Sequence, residues 1–415
     1  MHYSRDSQGS TLCRSVSVQF CNEEYFCMKR GIFTYAWDLE AEGYDTAFAR
    51  LAGAGFTAVN LATAYHAGKF LMPRNPRSRT YFTEDGALYF WPAASRYGRL
   101  KPRTSRFATA ESDPISRLIT AAKPHGLDYV AWTVCLHNSW LGEQFPDVTQ
   151  HTAFGDPLIH SLSPAHPDVH EYMLALLGDL CSRYDLAAIE LESPGYMGYA
   201  HGYHHEINGV EFDPVQQRLL SISFNPTEVE RAGADGIDAA SLQRRIADLI
   251  DCAWNANEPV MVNDAPSADA QALFDDPELQ AYQDWQQRQV ADLNGKMREV
   301  IHGANPDIEI RHFAALDVNA SAGSAEESLF ATGDALLTGY ANSDEDASRR
   351  VETLRQFGKP VYGMVRAIAP DHLTQDSIAS RIATFRDAGV DGIDVYNYGL
   401  MPQPNLDAVI SALNE

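Results

Sequence analysis

From Gly31 onward, short apolar runs alternate with longer stretches in which apolar residues recur at helical spacing. Runs rich in β-branched and aromatic residues fall at 31–38, 55–61, 127–135, 186–192, 308–313, 335–340, 359–366 and 389–396, and these predict strands. Between them the period lengthens. Ala47, Leu51 and Ala54 share one face of a helix, as do Ile115, Leu118, Ile119 and Ala122. Met173, Leu176, Leu177 and Leu180 line the inner face of a helix that opens at Pro167, a residue suited to the first helical position. A further helix opens at Pro277 and carries Leu279, Trp285, Val290, Leu293, Met297 and Val300 on a broad face. Helices that end in Gly before apolar strands mark a parallel α/β protein. Eight such units predict a closed (β/α)8 TIM barrel over residues 30–415. The alternative is an open doubly wound sheet, but no G-x-G-x-x-G follows the first strand, and no cofactor is expected.

Three connections are long: 67–111, 139–164 and 193–238. They follow the second, third and fourth strands, so in a barrel they gather over one mouth. The first carries Tyr81, Phe82, Tyr89, Phe90, Trp91 and Tyr97 and reads as a lid or substrate wall. Its plainer form is a small hairpin of 79–82 against 87–90, turning at Asp85-Gly86. Residues 1–29 show no clear period and read as a loose tail.

Charge narrows the partners. The formal net charge is -24, from 32 basic and 56 acidic residues. That argues against nucleic acid and anionic membranes as partners, which want basic patches. It suits a neutral or cationic substrate, although most of this charge reads simply as solvated surface. The six cysteines form no C-x-x-C pair, so neither a zinc knuckle nor a disulfide framework is expected. With no apolar run of signal-peptide or membrane-spanning type, the expectation is a cytoplasmic protein with free thiols.

The stretch that stands out chemically is Ala187-Ala188-Ile189-Glu190-Leu191-Glu192-Ser193-Pro194-Gly195-Tyr196. On a strand, Glu190 and Glu192 point to the same side. Two carboxylates at the end of a buried run cost too much desolvation to be filler. Glu190 is expected one layer deep, salt-bridged inside the barrel, and Glu192 at the mouth. Glu192, with Asp317 and Glu190, makes up the candidate catalytic set; Asp38 and Glu206 are further candidates for the second carboxylate. The other strand ends offer substrate contacts: Trp37 and Asp38; Asn60, Tyr65 and His66; His137; Arg311 and His312; Arg366; Tyr396 and Asn397. The loop after the fourth strand adds Tyr203, His204, His205 and Glu206. Aromatic faces with Asn, Arg, His and Asp donors and acceptors point to a carbohydrate. A sugar phosphate is disfavoured because neither 367–370 nor 398–402 is a Gly-rich loop. The loop His201-x-x-His204-His205-Glu206 has metal-binding residue types but no H-E-x-x-H spacing, so it is read as sugar contacts or support for Glu192, with no metal expected.

The segment Leu191-Glu192-Ser193 … His201-Gly202-Tyr203-His204-His205-Glu206, with Ala388-Gly389-Val390-Asp391-Gly392-Ile393 … Tyr396-Asn397-Tyr398-Gly399, is similar to a bacterial TIM-barrel family resembling clan A glycoside hydrolases. The resemblance covers most of 31–415 and implies that Glu192 is the general acid/base. Two positions depart from the clan pattern: Leu191 stands where Asn is usual, and Arg366 ends the seventh strand where the clan has its nucleophilic glutamate. The leading expectation is a glycoside hydrolase. The alternatives are a metal-dependent sugar isomerase or epimerase built on Glu192, His204 and His312, and a non-catalytic sugar-binding barrel.

Overall fold

The computed structural model describes residues 28–203, 205–210, 213–255, 259–314, 326–371 and 374–415. Asp317, His204 and nearly all of the N-terminal tail lie outside the described residues.

Eight parallel strands form the centre: β1 (Lys29–Thr34), β2 (Ala58–Tyr65), β3 (Asp128–Val134), β4 (Ala188–Glu192), β5 (Glu309–Phe313), β6 (Ala335–Tyr340), β7 (Val361–Arg366) and β8 (Gly392–Tyr396). Each pairs with its sequence neighbours, and β1 pairs with both β2 and β8, so the sheet closes. This is the α/β TIM barrel that the alternation of strand and helix predicts. Closure removes the open sheet edges that would otherwise need protection.

Helices on the outside begin where the chain supplies caps. Asp113 accepts a hydrogen bond from Ser116 N–H ahead of Pro114–Ala122, and Ser343 and Thr374 cap Asp344–Arg355 and Gln375–Asp387 in the same way. Their apolar faces and the strands form one continuous core, with Leu176, Leu293, Val351 and Ile382 fully or almost fully buried.

The long connections are structured. Residues 69–71 pair with 80–82 as a hairpin. The expected partner segment pairs elsewhere: Ala87 and Leu88 run antiparallel to Tyr65 and Ala64 and extend the sheet at β2. The second connection holds a short helix (Ser139–Gln144) and a hairpin of 149–151 with 157–162. The third contains helices Pro214–Leu220 and Pro226–Ala234 where a plain excursion was expected. They pack with Ala239–Asn255, Ala268–Phe274 and the first turns of Pro277–Ala304 around a second core of Leu219, Phe224, Ile246, Tyr282 and Trp285. The 28-residue helix Pro277–Ala304 ties the two cores together, since its later residues Val290, Leu293, Met297 and Ile301 belong to the barrel core. Among the described residues, no helix is long and apolar enough to cross a membrane.

Candidate active site

Side chains two apart on a strand share a face, and the barrel interior stacks them in layers. The deeper layer is charged. Glu190 pairs in register with Trp132 and Arg311, and Gly31 with Asp394. Asn60 donates to Glu190 Oε1 at 2.9 Å, and Arg311 lies 3.2 Å from the same oxygen. Arg311 also pairs with Asp394 at 3.4 Å and Glu309 at 2.5 Å, and its guanidinium stacks on Tyr362. Gly31 makes this layer possible: a Cβ there would fall 1.9 Å from Asp394 Oδ1. Burial, then repulsion from Asp394, pushes the Glu190 carboxyl well above its ordinary range, against the pull of Arg311 and Asn60. Burial also raises Asp394. Glu309 has a second cation in Lys29, at 3.2 Å, but Glu190 and Asp394 share the one buried guanidinium, an excess of negative charge that protonation relieves. Glu190, Asn60 and Arg311 are thus brought together, but with one another and beneath the mouth.

Glu192 belongs to the layer above. Phe33, Trp132, Phe313 and Tyr396 surround it from the same faces of β1, β3, β5 and β8, with Trp132 edge-on to Phe33 at 5.1 Å and to Tyr396 at 5.9 Å. The Trp132 indole N–H donates to Glu192 Oε2 at 2.5 Å. Burial raises the Glu192 carboxyl, while His66 and the indole N–H pull it partly back. The result is a carboxyl whose proton is retained to higher pH than usual, in an aromatic-walled mouth. Tyr35, just beyond β1, joins its hydroxyl to Tyr65 at 2.9 Å and to Tyr396 at 2.7 Å, which locks three rings around the opening. Phe70 of the 69–71 hairpin strand packs over Tyr35, Trp37 and Tyr65 with ring centroids 5.0 to 6.0 Å apart. On the far side, the Arg366 guanidinium stacks on Tyr340 at 4.4 Å and is gripped by both oxygens of Asp371. Tyr340 feels the charge of Glu192 and of Asp371, so both carboxyls lie within electrostatic reach of its hydroxyl.

Histidines form the third wall. His66 stacks on Tyr65 at 4.3 Å and on His137 at 4.2 Å; His137 meets His201 at 4.4 Å; His201 stacks with His160 at 5.5 Å. They come from the loops after β2, β3 and β4, which therefore converge on one mouth. Burial first, and then their mutual proximity, holds His137 well below the imidazole range and His201 down at about 4. Burial also lowers His160. Among the described residues, no group of three His, Cys, Asp or Glu side chains converges to hold a metal ion.

The remaining candidates are dispersed. Trp37 is buried in the aromatic wall, stacked on Tyr35 and Tyr81. Asp38 is buried against Gly399, beside a small cleft shared with Arg74, Asn75 and Tyr398, and burial pushes its carboxyl up to about 7. His312 alternates with Arg311 and so faces outward, where its Nε2 lies 3.0 Å from Thr332 Oγ1 at the end of an outer helix. Asn397 is buried and accepts from Gly399 N–H. Tyr203, His205 and Glu206 lie on the exposed loop after β4, where Glu206 accepts from the Tyr203 backbone N–H at 2.5 Å. The sequence reading missed Tyr35, Trp132, His160 and Asp371. Trp132 and Tyr35 carry the strand period that puts them on the inner face shared with Glu192 and Tyr65; nothing local marks Asp371 or His160.

No family model matches this chain, and no curated protein does. Solved structures do share the fold. The PgaB (BpsB) glycoside hydrolase domain from Bordetella bronchiseptica superposes with a TM-score of 0.56 at 15% identity, over 93% of this chain and 97% of that one. Alpha-L-fucosidase isoenzyme 2 from Paenibacillus thiaminolyticus gives 0.56 at 11% identity, and the beta-galactosidase from Marinomonas ef1 gives 0.55 at 9%. This chain matches 49% and 59% of the length of those two enzymes. At such identities the likeness is one of fold: the closed eight-stranded barrel found in glycoside hydrolases.

Proposed function

We propose that this protein is a glycoside hydrolase acting on a carbohydrate, with Glu192 as its general acid/base. The observation that carries this reading is the Glu192 carboxyl itself. It ends β4 at the barrel mouth, takes a hydrogen bond from Trp132, and is raised by burial among aromatic rings. A leaving-group acid needs such a raised carboxyl, together with a second, ionised carboxylate. Asp371 fits the second role, because Arg366, itself stacked on Tyr340, grips both of its oxygens. The barrel's likeness to known glycosidases supports the reading at the level of fold.

The reaction follows in two parts. Glu192 gives its proton to the glycosidic oxygen as the bond breaks, while Asp371 stabilises the positive charge growing on the sugar ring or activates water against it. Tyr65, Tyr396 and Trp132 supply faces for the sugar and exclude water from Glu192.

The test is turnover of an aryl glycoside panel by wild type and Glu192→Gln. The variant keeps the shape and loses the transferable proton, so kcat should drop by about 10² to 10⁴ while KM changes little. Nitrophenyl substrates need less proton assistance and should be partly spared. Equal turnover by both proteins on all substrates would refute the assignment. The end of β7 in Arg366 in place of a carboxylate favours a second reading, a sugar-binding barrel without catalysis. Binding of the same sugars with no product from the wild type would select it.

A further inference from the structure

Beside the mouth lies a cavity of about 400 Å³, within the roughly 300–1,000 Å³ of small-molecule sites. Its walls come from the hairpin after β3 (Leu158, His160) and the loop after β4 (His201, Tyr203, Glu206, Asn208). We propose that this cavity binds the units of a linear, uncharged oligosaccharide that extend beyond the bond cleaved at Glu192. The inference rests on the glycosidase reading of Glu192 and adds the substrate class: a chain rather than a single sugar.

Position is the first argument. His201, on the cavity wall, touches His137, which stacks on His66, whose ring lies against Tyr65 in the aromatic wall that holds Trp132 and Glu192. Three rings thus link the cavity to the reacting carboxyl as one continuous wall. A chain held at Glu192 has its next units directed along that wall. Chemistry is the second. Imidazole and phenol faces alternate with amide and carboxylate groups, and that mixture meets both the apolar face and the hydroxyl rim of a pyranose. Ile207 is 91% exposed and Tyr203 49% exposed at the rim, an apolar lip on an otherwise polar surface. Charge is the third. Among the described residues, the lining contains no Lys or Arg and one carboxylate, Glu206, in a chain of net charge -24. The histidines add no compensating positive charge, since burial keeps His160 and His201 neutral at pH 7. Uronate, sulfated or phosphorylated chains would meet repulsion with no cation to offset it.

Calorimetry on full-length Glu192→Gln tests this with gluco-, manno-, galacto- and N-acetylglucosamine oligomers of one to six units, and with oligogalacturonates. The expected result is that one neutral series gains at least about tenfold in affinity from monomer to trimer, equivalent to 1.4 kcal/mol. His201→Ala, or Ala200→Arg at the exposed rim, should remove that gain with Tm unchanged. The inference is overturned if no neutral series gains with length, if both variants bind like their parent, or if the uronates bind as tightly. The two readings fail separately. Length-dependent binding that needs His201, with no reducing ends released by the wild type, sinks the hydrolase and keeps the cavity. Glu192-dependent cleavage of aryl glycosides without length-dependent binding does the reverse.

Discussion

Trp132 Nε1 donates to Glu192 Oε2 at 2.5 Å, from a strand neighbour whose Cα lies level with Glu190. The indole thus spans two layers of the barrel, with its ring among Phe33, Tyr35, Tyr65 and Tyr396 and its N–H at the mouth. One residue both fills the core and sets the chemistry of the candidate acid.

Removing that donor should be visible in the pH profile. The indole N–H favours the ionised form of Glu192 and so lowers its pKa against the larger effect of burial. In Trp132→Phe this pull is lost and the pKa rises further. The acid then stays protonated to higher pH, and the alkaline limb of kcat/KM shifts upward. A limb that stays in place, or moves to lower pH, would show that Glu192 is not the group titrating there. Loss of a buried charge-assisted bond should also cost about 1–3 kcal/mol in denaturant unfolding.

The deeper carboxylates predict a stability slope. Glu190 is raised well above its ordinary value, so the folded chain holds its proton more tightly than the unfolded chain does. That contribution is fully present below the unfolded pKa and is lost as pH rises above it. Glu190→Gln cannot titrate and keeps an acceptor for Asn60 and Arg311. Its Tm relative to wild type should therefore improve steadily from pH 4 to pH 8. A difference that is flat with pH would mean that Glu190 is ionised throughout. Arg311→Met is the contrasting variant. It strips the shared cation from the buried Glu190 and Asp394, while Glu309 keeps Lys29, and should cost about 3–5 kcal/mol.

Gly31 offers a steric test of the same layer. An added methyl would overlap Asp394 Oδ1 and sit 2.7 Å from Asn60 Oδ1, and both belong to well-packed neighbours. Gly31→Ala should destabilise the barrel by roughly 1–3 kcal/mol, the usual range for overpacking. Unchanged unfolding would imply that the Asp394 carboxyl has room to move.

Much of this was legible in the sequence because period and caps are local. All eight strands are readable from their apolar runs, and the period of two puts Glu190 and Glu192 on one inward face, one layer apart in depth. The helices at 214–220 and 226–234 also carried start signals: Asp213-Pro214 with Gln216, and Asn225-Pro226. They went unread because their apolar faces are short and complete a core shared with distant Tyr282 and Trp285. The site was harder for a related reason. His312 and Arg311 are adjacent at one strand end, yet one faces outward to Thr332 and the other inward to Glu190. Position near a strand end gave both the same expectation; alternation gives them opposite ones. Asp371 was invisible because its significance comes from Arg366 and Tyr340, contacts made by folding and by no motif.

Asp371 yields the last prediction. A glycosidase needs an ionised carboxylate opposite its acid, and the usual β7 glutamate is Arg366 here. Arg366 reaches across to hold both oxygens of Asp371, and Tyr340 lies where the charges of Asp371 and Glu192 both act. The arginine thus fixes a carboxylate supplied by the loop that follows β7. Asp371→Asn keeps a hydrogen-bonding group of the same size and loses the negative charge. If Asp371 activates water or stabilises the sugar cation, kcat should fall by about 10² to 10⁴. Unlike Glu192→Gln, this loss should be as large for nitrophenyl substrates as for natural ones, because leaving-group quality does not replace a missing anion. Arg366→Met should reproduce part of the loss by releasing Asp371, and Asp371→Glu should restore part of it. If Asp371→Asn turns over activated and natural substrates at the wild-type rate, Asp371 is only the partner of Arg366. Asp317 then becomes the next carboxylate to substitute.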